Sequence, residues 1–331
     1  MVLGLGNSWS AEGKHCYVTG GSQGLGLAVA IRLAESGAAS VAIVARNRER
    51  LRDATQEIER RRQVETQQFR YHSYPLNSSS GSHDALDAEC QELAKESKGS
   101  VTAPDAFFLC AGSARPSFWI ENTEDQLVQG MEQAYWVQAW TAHAAMKKLV
   151  HEKRTAKIVF VGSTASMMSF VGFAPYAPGK HALKGLAESL RSEGLLYGVD
   201  VHIFLAPTMD SPGLAEENKL KPAITTSIEA GDEVLSCEAA AACLLRGVEK
   251  NRHHITATLI GSLFSNSNRG AAPISRSCLG PLYDLIAWIG IPLWRRDVDS
   301  RILKIRQEHQ DHLGKAGFFS ISSPELLNPN Q

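Results

Sequence analysis

Three residues of this chain are well equipped to move a proton: Ser163, Tyr176 and Lys180. Tyrosine and lysine stand four apart, so a helix carries them on one face. A phenol ordinarily ionises near about pH 10, too high for ready exchange at neutrality, and a nearby ammonium favours the phenolate. The spacing therefore makes Tyr176 a proton donor and Lys180 the group expected to tune it. Ser163 lies thirteen residues before the tyrosine and closes the apolar run Lys157–Gly162, where its hydroxyl can orient a carbonyl. An acid beside a held carbonyl suits reduction, in which a hydride reaches carbon as the phenol protonates oxygen. Alone, Tyr-x-x-x-Lys reads as a surface pair, so its weight comes from what accompanies it.

What accompanies it is Thr19-Gly20-Gly21-Ser22-Gln23-Gly24-Leu25-Gly26, directly after the apolar Cys16-Tyr17-Val18. A glycine turn between strand and helix lets backbone approach a phosphate, and the helix N-terminus favours its charge. Gly20, Ser22, Gln23, Gly24, Leu25 and Gly26 are thus expected to cradle a dinucleotide, with Lys180 also reaching the nicotinamide ribose. The spacing is one residue longer than the common G-x-G-x-x-G. Downstream, Ala45-Arg46-Asn47 carries arginine where an NAD site usually has a carboxylate for the ribose hydroxyls. Arg46, Arg50 and Ser22 could hold the extra 2′-phosphate of NADP, which makes NADPH the expected cofactor. The bland alternative is that Arg46, Arg48, Arg50 and Arg52 form a solvated helix start; the missing carboxylate is the stronger half of the argument.

The elements that must position these groups read as alternating strands and helices. Short apolar runs at His15–Val18, Ser40–Ala45, Gln67–Tyr74, Asp105–Cys110, Lys157–Gly162, Asp200–Ala206 and Ile255–Gly261 suit strands covered on both faces. Helical periodicity fills Leu25–Ser36, Arg48–Arg62, Asp84–Lys95, Glu124–His151, Tyr176–Leu195 and Glu238–Glu249. The alternation predicts a Rossmann-like, doubly wound, seven-stranded parallel sheet in a three-layer α/β/α sandwich. It spans residues 1–262, with 263–331 as a C-terminal helical and apolar extension. Asn77–His83 reads as a polar loop, and Ser320–Gln331 as a frayed end.

Composition narrows the class. The 331 residues are 44% hydrophobic and 21% charged, with a formal net charge of -1, so nothing global favours nucleic acid. Six cysteines show no C-x-x-C spacing, which points to reduced thiols, with no disulfide framework and no metal site. Met1–Lys14 lacks the basic flank and apolar core of a signal peptide, so secretion is not expected.

On these motifs the chain resembles the short-chain dehydrogenases/reductases over roughly Lys14 to Gly261. Leu109-Cys110-Ala111-Gly112 stands in place of that family's Asn-Asn-Ala-Gly. The resemblance implies that Ala111, Gly112 and Pro207 line the cofactor, and that Leu76 covers the adenine, because Pro75 replaces a frequent aspartate. Within the family, Gly20–Gly24, Val44–Asn47 and especially Met209–Asn218 are similar to 3-ketodihydrosphingosine reductases. That similarity implies NADPH-dependent reduction of a long-chain keto-sphingoid, 3-ketodihydrosphingosine, to dihydrosphingosine in sphingolipid synthesis. It also implies a catalytic domain facing the cytosol from the endoplasmic reticulum membrane. Ala134 falls where many relatives carry an asparagine, so the helix kink and water relay attributed to that residue must be absent or supplied otherwise. Pro207-Thr208 replaces the usual Pro-Gly.

Three expectations concern the surroundings. Cys278–Trp294 is short for a membrane span and contains Asp284, Gly290 and Pro292, but its tryptophans and Arg295-Arg296 suit a helix lying in a lipid interface. Packing on the core or on a partner is the equal alternative. The segment from Pro207 to Val234 carries Glu216, Glu217, Lys219 and Lys221 and reads as a mobile, solvated flap. Glu124–His151 and Tyr176–Leu195 could pair with their copies, giving a homo-oligomer, a dimer or tetramer.

Rival readings are a reductase of another lipid or steroid ketone, and a non-enzymatic binding protein suggested by Ala134. A serine hydrolase using Ser22 is more distant: Gly20–Gly24 also satisfies G-x-S-x-G, with His253 or His254 as the base.

Overall fold

Strand formation follows from β-branched and aromatic runs too short and too uniformly apolar for amphipathic helices. In the computed structural model, which describes residues 9–270 and 280–317, seven strands pair, the inner five of this kind and the two edge strands more polar. They are β1 (His15–Thr19), β2 (Ser40–Ala45), β3 (Gln68–Ser73), β4 (Ala106–Leu109), β5 (Ala156–Val161), β6 (Val199–Leu205) and β7 (His254–Thr256). All pairs are parallel, in the order β3-β2-β1-β4-β5-β6-β7. The seven-stranded doubly wound sheet read from the sequence is therefore the fold.

Helices α1 (Gly24–Glu35), α2 (Arg48–Glu59) and α9 (Cys237–Glu249) cover one face of the sheet. Helices α3 (Ser79–Glu96), α5 (Val137–His151) and α6 (Ala177–Tyr197) cover the other. Tyr17, Phe107, Phe108, Phe160 and Phe204 are fully buried between the layers; truncating such a ring costs about 3–5 kcal/mol. Strand order reverses between β1 and β4, where Thr19 is level with Leu109. The chain leaves these two strands in opposite directions, opening a crevice at their carboxyl ends.

Several elements differ from the sequence reading. The seventh strand is three residues rather than seven: Thr258 caps α10 (Leu259–Ser267) by accepting the Gly261 N–H at 3.1 Å, and the chain turns into a helix. The expected domain boundary at 262 consequently falls inside α10. The polar stretch Asn77–His83 is largely the first turn of α3, capped by Ser78 accepting from Gly81 at 3.1 Å. The long helix expected over Glu124–His151 is α4 (Glu124–Met131) and α5, joined by a π-helical turn over Glu132–Trp136.

Beyond the sheet, α7 (Pro212–Leu220) and α8 (Ala223–Glu229) follow β6. The tail forms α11 (Gly280–Lys304) and α12 (Arg306–Lys315). No helix among the described residues is long and apolar enough to cross a membrane. Cys278 at the start of the apolar run, and the stretch Ser320–Gln331, lie outside the described residues.

Candidate active site

The crevice is a cleft of about 470 Å³ at the carboxyl ends of the strands. At its floor the glycine turn makes contacts that other residues would block. Gly20 has φ +67°, and a Cβ there would stand 2.8 Å from the Ala111 backbone nitrogen; a Cβ at Gly26 would stand 2.3 Å from the Gly20 carbonyl oxygen. The loop is thus folded tightly on itself and on the end of β4. Helix α1 begins at Gly24 with no side-chain cap and no acidic residue in its first turn, so its N–H groups are left for an anion.

The expected cofactor residues share this one cleft. Gly20, Ser22, Gln23, Gly24, Leu25 and Gly26 line its floor; Leu76, Ala111, Gly112 and Pro207 line its walls. Arg46 and Arg50 stand at the β2 end, where Arg50 Nη1 donates to Gln23 Oε1 at 2.9 Å and its backbone N–H is held by the Asn47 cap. Among the described residues, no carboxylate lines that end. A nicotinamide dinucleotide fits this arrangement: an uncapped helix start for the pyrophosphate, apolar Leu76 for the base, and two guanidinium groups at the ribose.

Ser163, Tyr176 and Lys180 face the same cleft. Ser163 follows β5 directly and caps a short 3-10 turn, its Oγ accepting the Ala165 N–H at 3.1 Å. Tyr176 is the N-cap of α6, and Pro178 within the first turn suits a helix start. Lys180, one turn on, is 3% exposed, with Nζ 5.6 Å from the centre of the Tyr176 ring. Burial lowers the Lys180 pKa to about 8.

The phenol stands above its ordinary value. Desolvation by burial is the main cause, the carboxylate of Glu217 adds to it, and a hydrogen bond with Ser163 offsets part. Lys180, expected to pull the phenol down, holds its ammonium 5.6 Å from the ring centre without a hydrogen bond to the hydroxyl among the described residues. Its ammonium donates instead to the Val161 carbonyl at 3.0 Å.

The segment after β6 also differs from expectation. Ser211 caps α7 by accepting the Leu214 N–H at 3.1 Å, and Met209–Asp210 pairs with Leu235–Ser236, so both ends of the segment are pinned. Lys221 is nearly enclosed and bridges Glu217 at 2.9 Å and Glu229 at 2.5 Å. Only the Lys219–Glu216 pair matches the solvated picture, at 66% and 73% exposure. The inner side of the flap is therefore an ionic wall of the cleft, with Glu217, Glu229 and Asp232 lining it. The Glu217–Lys221 spacing of four is the signal of this wall in the sequence.

Adjoining it, with Lys221 Nζ 5.8 Å from the centre of the Phe173 ring, lies an apolar wall of Met168, Phe170 and Phe173, which the sequence reading missed. The tail supports it. Trp294 of α11 packs edge-on against Phe170 and Phe264, at 6.3 and 5.6 Å between ring centres, and Arg295 Nη2 donates to the Ser169 carbonyl at 2.7 Å. The packed side of α11 carries Ala287, Ile291, Trp294 and Val298.

Ala134 is fully buried inside the π turn. Of the two alternatives for the kink, absent or supplied otherwise, the second holds: the π turn supplies it. A Cβ on Gly179 would come within 2.6 Å of the Ala134 Cβ, so α6 and the turn touch almost backbone to backbone.

The hydrolase alternative fails on position. His253 and His254 lie at the start of β7 and do not line the cleft; His253 Nδ1 meets the Val201 carbonyl at 2.8 Å. Among the described residues, no histidine lines the cleft with Ser22.

A family model for short chain dehydrogenases matches residues 14–221. The chain belongs to the short-chain dehydrogenase family. This dehydrogenase is 37% identical over 313 residues to a 3-ketodihydrosphingosine reductase of Cryptococcus neoformans, covering 95% of this chain and 91% of that protein. It is 33% identical over 304 residues to a Schizosaccharomyces pombe fusion protein whose name includes the same reductase, covering 91% of this chain and 59% of that one. A short-chain dehydrogenase from Sphingobium yanoikuyae, solved in complex with NADPH, superposes with TM-score 0.63 at 16% identity over 79% of this chain and 98% of its own, a likeness of fold.

Proposed function

We propose that this enzyme reduces 3-ketodihydrosphingosine to dihydrosphingosine with NADPH, Tyr176 donating the proton. The observation that carries the chemistry is the convergence of Ser163, Tyr176 and Lys180 on the cleft whose floor is the glycine turn. The substrate reading is supported by relatives of that name along nearly the whole chain. The shape of the cleft agrees with it. A protonated amine lies next to the ketone in this compound, and Glu217, Glu229 and Asp232 supply three carboxylates, the first two bridged by Lys221. The long alkyl chain has Met168, Phe170 and Phe173 for cover. NADPH over NADH rests on Arg46 and Arg50.

What the dinucleotide supplies when bound is a hydride. The residues do the remaining work. Ser163 holds the carbonyl oxygen, Tyr176 gives it a proton, and the raised phenol pKa keeps that proton in place at neutral pH until alkoxide charge develops. Lys180 holds positive charge beneath the site. Removal of a positioned general acid costs about 10²–10⁴-fold. NADPH oxidation with 3-ketodihydrosphingosine should therefore fall by about that factor in Tyr176→Phe. Equal turnover in the variant would reject the acid assignment, and a preference for steroid or short soluble ketones would reject the lipid substrate.

The membrane reading belongs to the same proposal. On the outer side of α11, Leu282, Leu285, Ile286, Ile289 and Leu293 recur at helical spacing, all at least 45% exposed, beside Trp288 at 77%. This stripe suits a helix resting on lipid at the endoplasmic reticulum surface, its opposite side fixed to the substrate wall. Changing Leu285 and Trp288 to Glu should abolish co-sedimentation with anionic vesicles, whereas unchanged sedimentation would refute membrane docking through this helix. A homo-oligomer through α5 and α6 fits the exposure of Leu195 and Leu196, at 72% and 76%.

A further inference from the structure

The pairing of β4 with β5 ends at Leu109 and Phe160, one residue before Val161. Beyond that point the Ala111 N–H turns to the Thr19 hydroxyl at 3.2 Å. The Val161 carbonyl therefore meets side chains. It accepts from Lys180 Nζ at 3.0 Å and from Gln138 Nε2 at 2.9 Å, while the Val161 N–H donates to Gln138 Oε1 at 3.0 Å. Gln138 is 1% exposed and grips both polar groups of one residue, as a neighbouring strand would. It is brought there by the π turn: the extra residue over Glu132–Trp136 sets the rotation of α5, and Gln138 is the second residue after it.

A buried amide with both ends bonded fixes the peptide that it holds, because releasing either end leaves an unsatisfied group at a cost of about 1–3 kcal/mol. That peptide carries the oxygen on which the Lys180 ammonium rests. We propose that Gln138 is a positioning residue for reduction: it locks the Val161 carbonyl and, through it, places the Lys180 ammonium beneath Tyr176. The role rests on the reductase reading. It goes beyond it in assigning to a glutamine the placement of the lysine, in a chain where the fourth-helix position used by many relatives is Ala134.

Other groups around the ammonium are few. The Cys110 thiol, just after β4, is held protonated by burial, Tyr176 of α6 lies at 5.6 Å, and Glu217 of α7 acts on Tyr176. Gln138 is uncharged and shares the Val161 carbonyl with the ammonium, so charge at position 138 should be read directly by the lysine.

Two variants test this in the full-length protein. Gln138→Met keeps the volume and removes both bonds to Val161. Gln138→Glu keeps the bond from the Val161 N–H but loses the donor to the carbonyl and brings a carboxylate to the ammonium. In ligand-free protein, the Lys180 side-chain titration followed by NMR should move up by about one unit in Gln138→Glu. In turnover, kcat of Gln138→Met should fall by about tenfold with little change in KM for NADPH, and the alkaline limb in Gln138→Glu should shift with the lysine. A Lys180 titration unmoved in Gln138→Glu overturns the proposal, as does wild-type kcat in Gln138→Met. If Gln138→Met does not fold, the Gln138→Glu titration decides. A wild-type enzyme that reduces no ketone would sink the reductase reading instead, while the NMR titration would still report on the Gln138–Val161–Lys180 link.

Discussion

Trp294 packs edge-on against Phe170, the ring centres 6.3 Å apart, and thereby ties the C-terminal helix to the apolar wall of the catalytic cleft. The extension is not an appendage to the catalytic fold. Such a ring pair contributes about 0.5–1.5 kcal/mol beyond its buried area. Trp294→Ala should raise KM for the long-chain ketone by about three- to tenfold, leaving KM for NADPH unchanged. Steady-state kinetics with both varied substrates checks this; an equal effect on a short ketone would show that Trp294 supports the reacting centre rather than the chain wall.

Lys180 is placed for function at a cost in stability. Its folded pKa of about 8 lies below the ordinary 10.5, so the unfolded chain binds more protons between those values. Stability therefore rises with pH across that window, and below about pH 8 the full penalty is present. The lowering corresponds to about 3 kcal/mol, less about 1 kcal/mol for the hydrogen bond to Val161 that a substitution loses. Lys180→Met should melt at higher temperature than wild type at pH 7, with the gain shrinking toward pH 10, and should lose activity. Thermal melts at the two pH values decide it, and a lower melting temperature at pH 7 would contradict the burial argument.

Most of the sheet was legible in the sequence because parallel strands, covered on both faces, leave apolar runs that end near the catalytic residues. The Ser163–Tyr176–Lys180 spacing and the glycine turn were legible for the same reason: short-range geometry fixes them. What escaped depends on contacts between distant segments. Gln138 reads as one polar residue on an amphipathic helix until a π turn rotates it onto Val161. Lys221 reads as solvated until Glu229, eight residues on, closes over it. In the sequence the lysine has only the phenol within one helical turn, whereas in the fold its ammonium rests on the Val161 carbonyl and Glu217 also acts on the phenol.

Arg46 is exposed at the end of β2 and faces the cleft where no carboxylate stands. A guanidinium–phosphate hydrogen bond contributes about 1.5–3 kcal/mol. Arg46→Asp should lower kcat/KM for NADPH by about 10- to 100-fold and raise it for NADH, since the new carboxylate can accept from ribose hydroxyls. Kinetics with the two cofactors measures the switch. Unchanged preference would place the 2′-phosphate on Arg50 alone, which Arg50→Ala would then reveal.

Glu217 acts on two things at once, the phenol and the entrance to the cleft. Its negative charge disfavours the phenolate, so Glu217→Gln should lower the Tyr176 pKa. Reduction needs the protonated phenol and should be little changed at neutral pH, because the wild-type value stands above the ordinary one. Oxidation of the alcohol needs the phenolate, so its acid limb should move to lower pH in the variant. The same substitution removes one of the carboxylates placed to meet the substrate amine. KM for 3-ketodihydrosphingosine should therefore rise, while KM for a ketone of equal length lacking the amine should not. A rise for both compounds would mean that Glu217 shapes the flap through Lys221, whereas a rise for neither would remove the amine from the recognition argument.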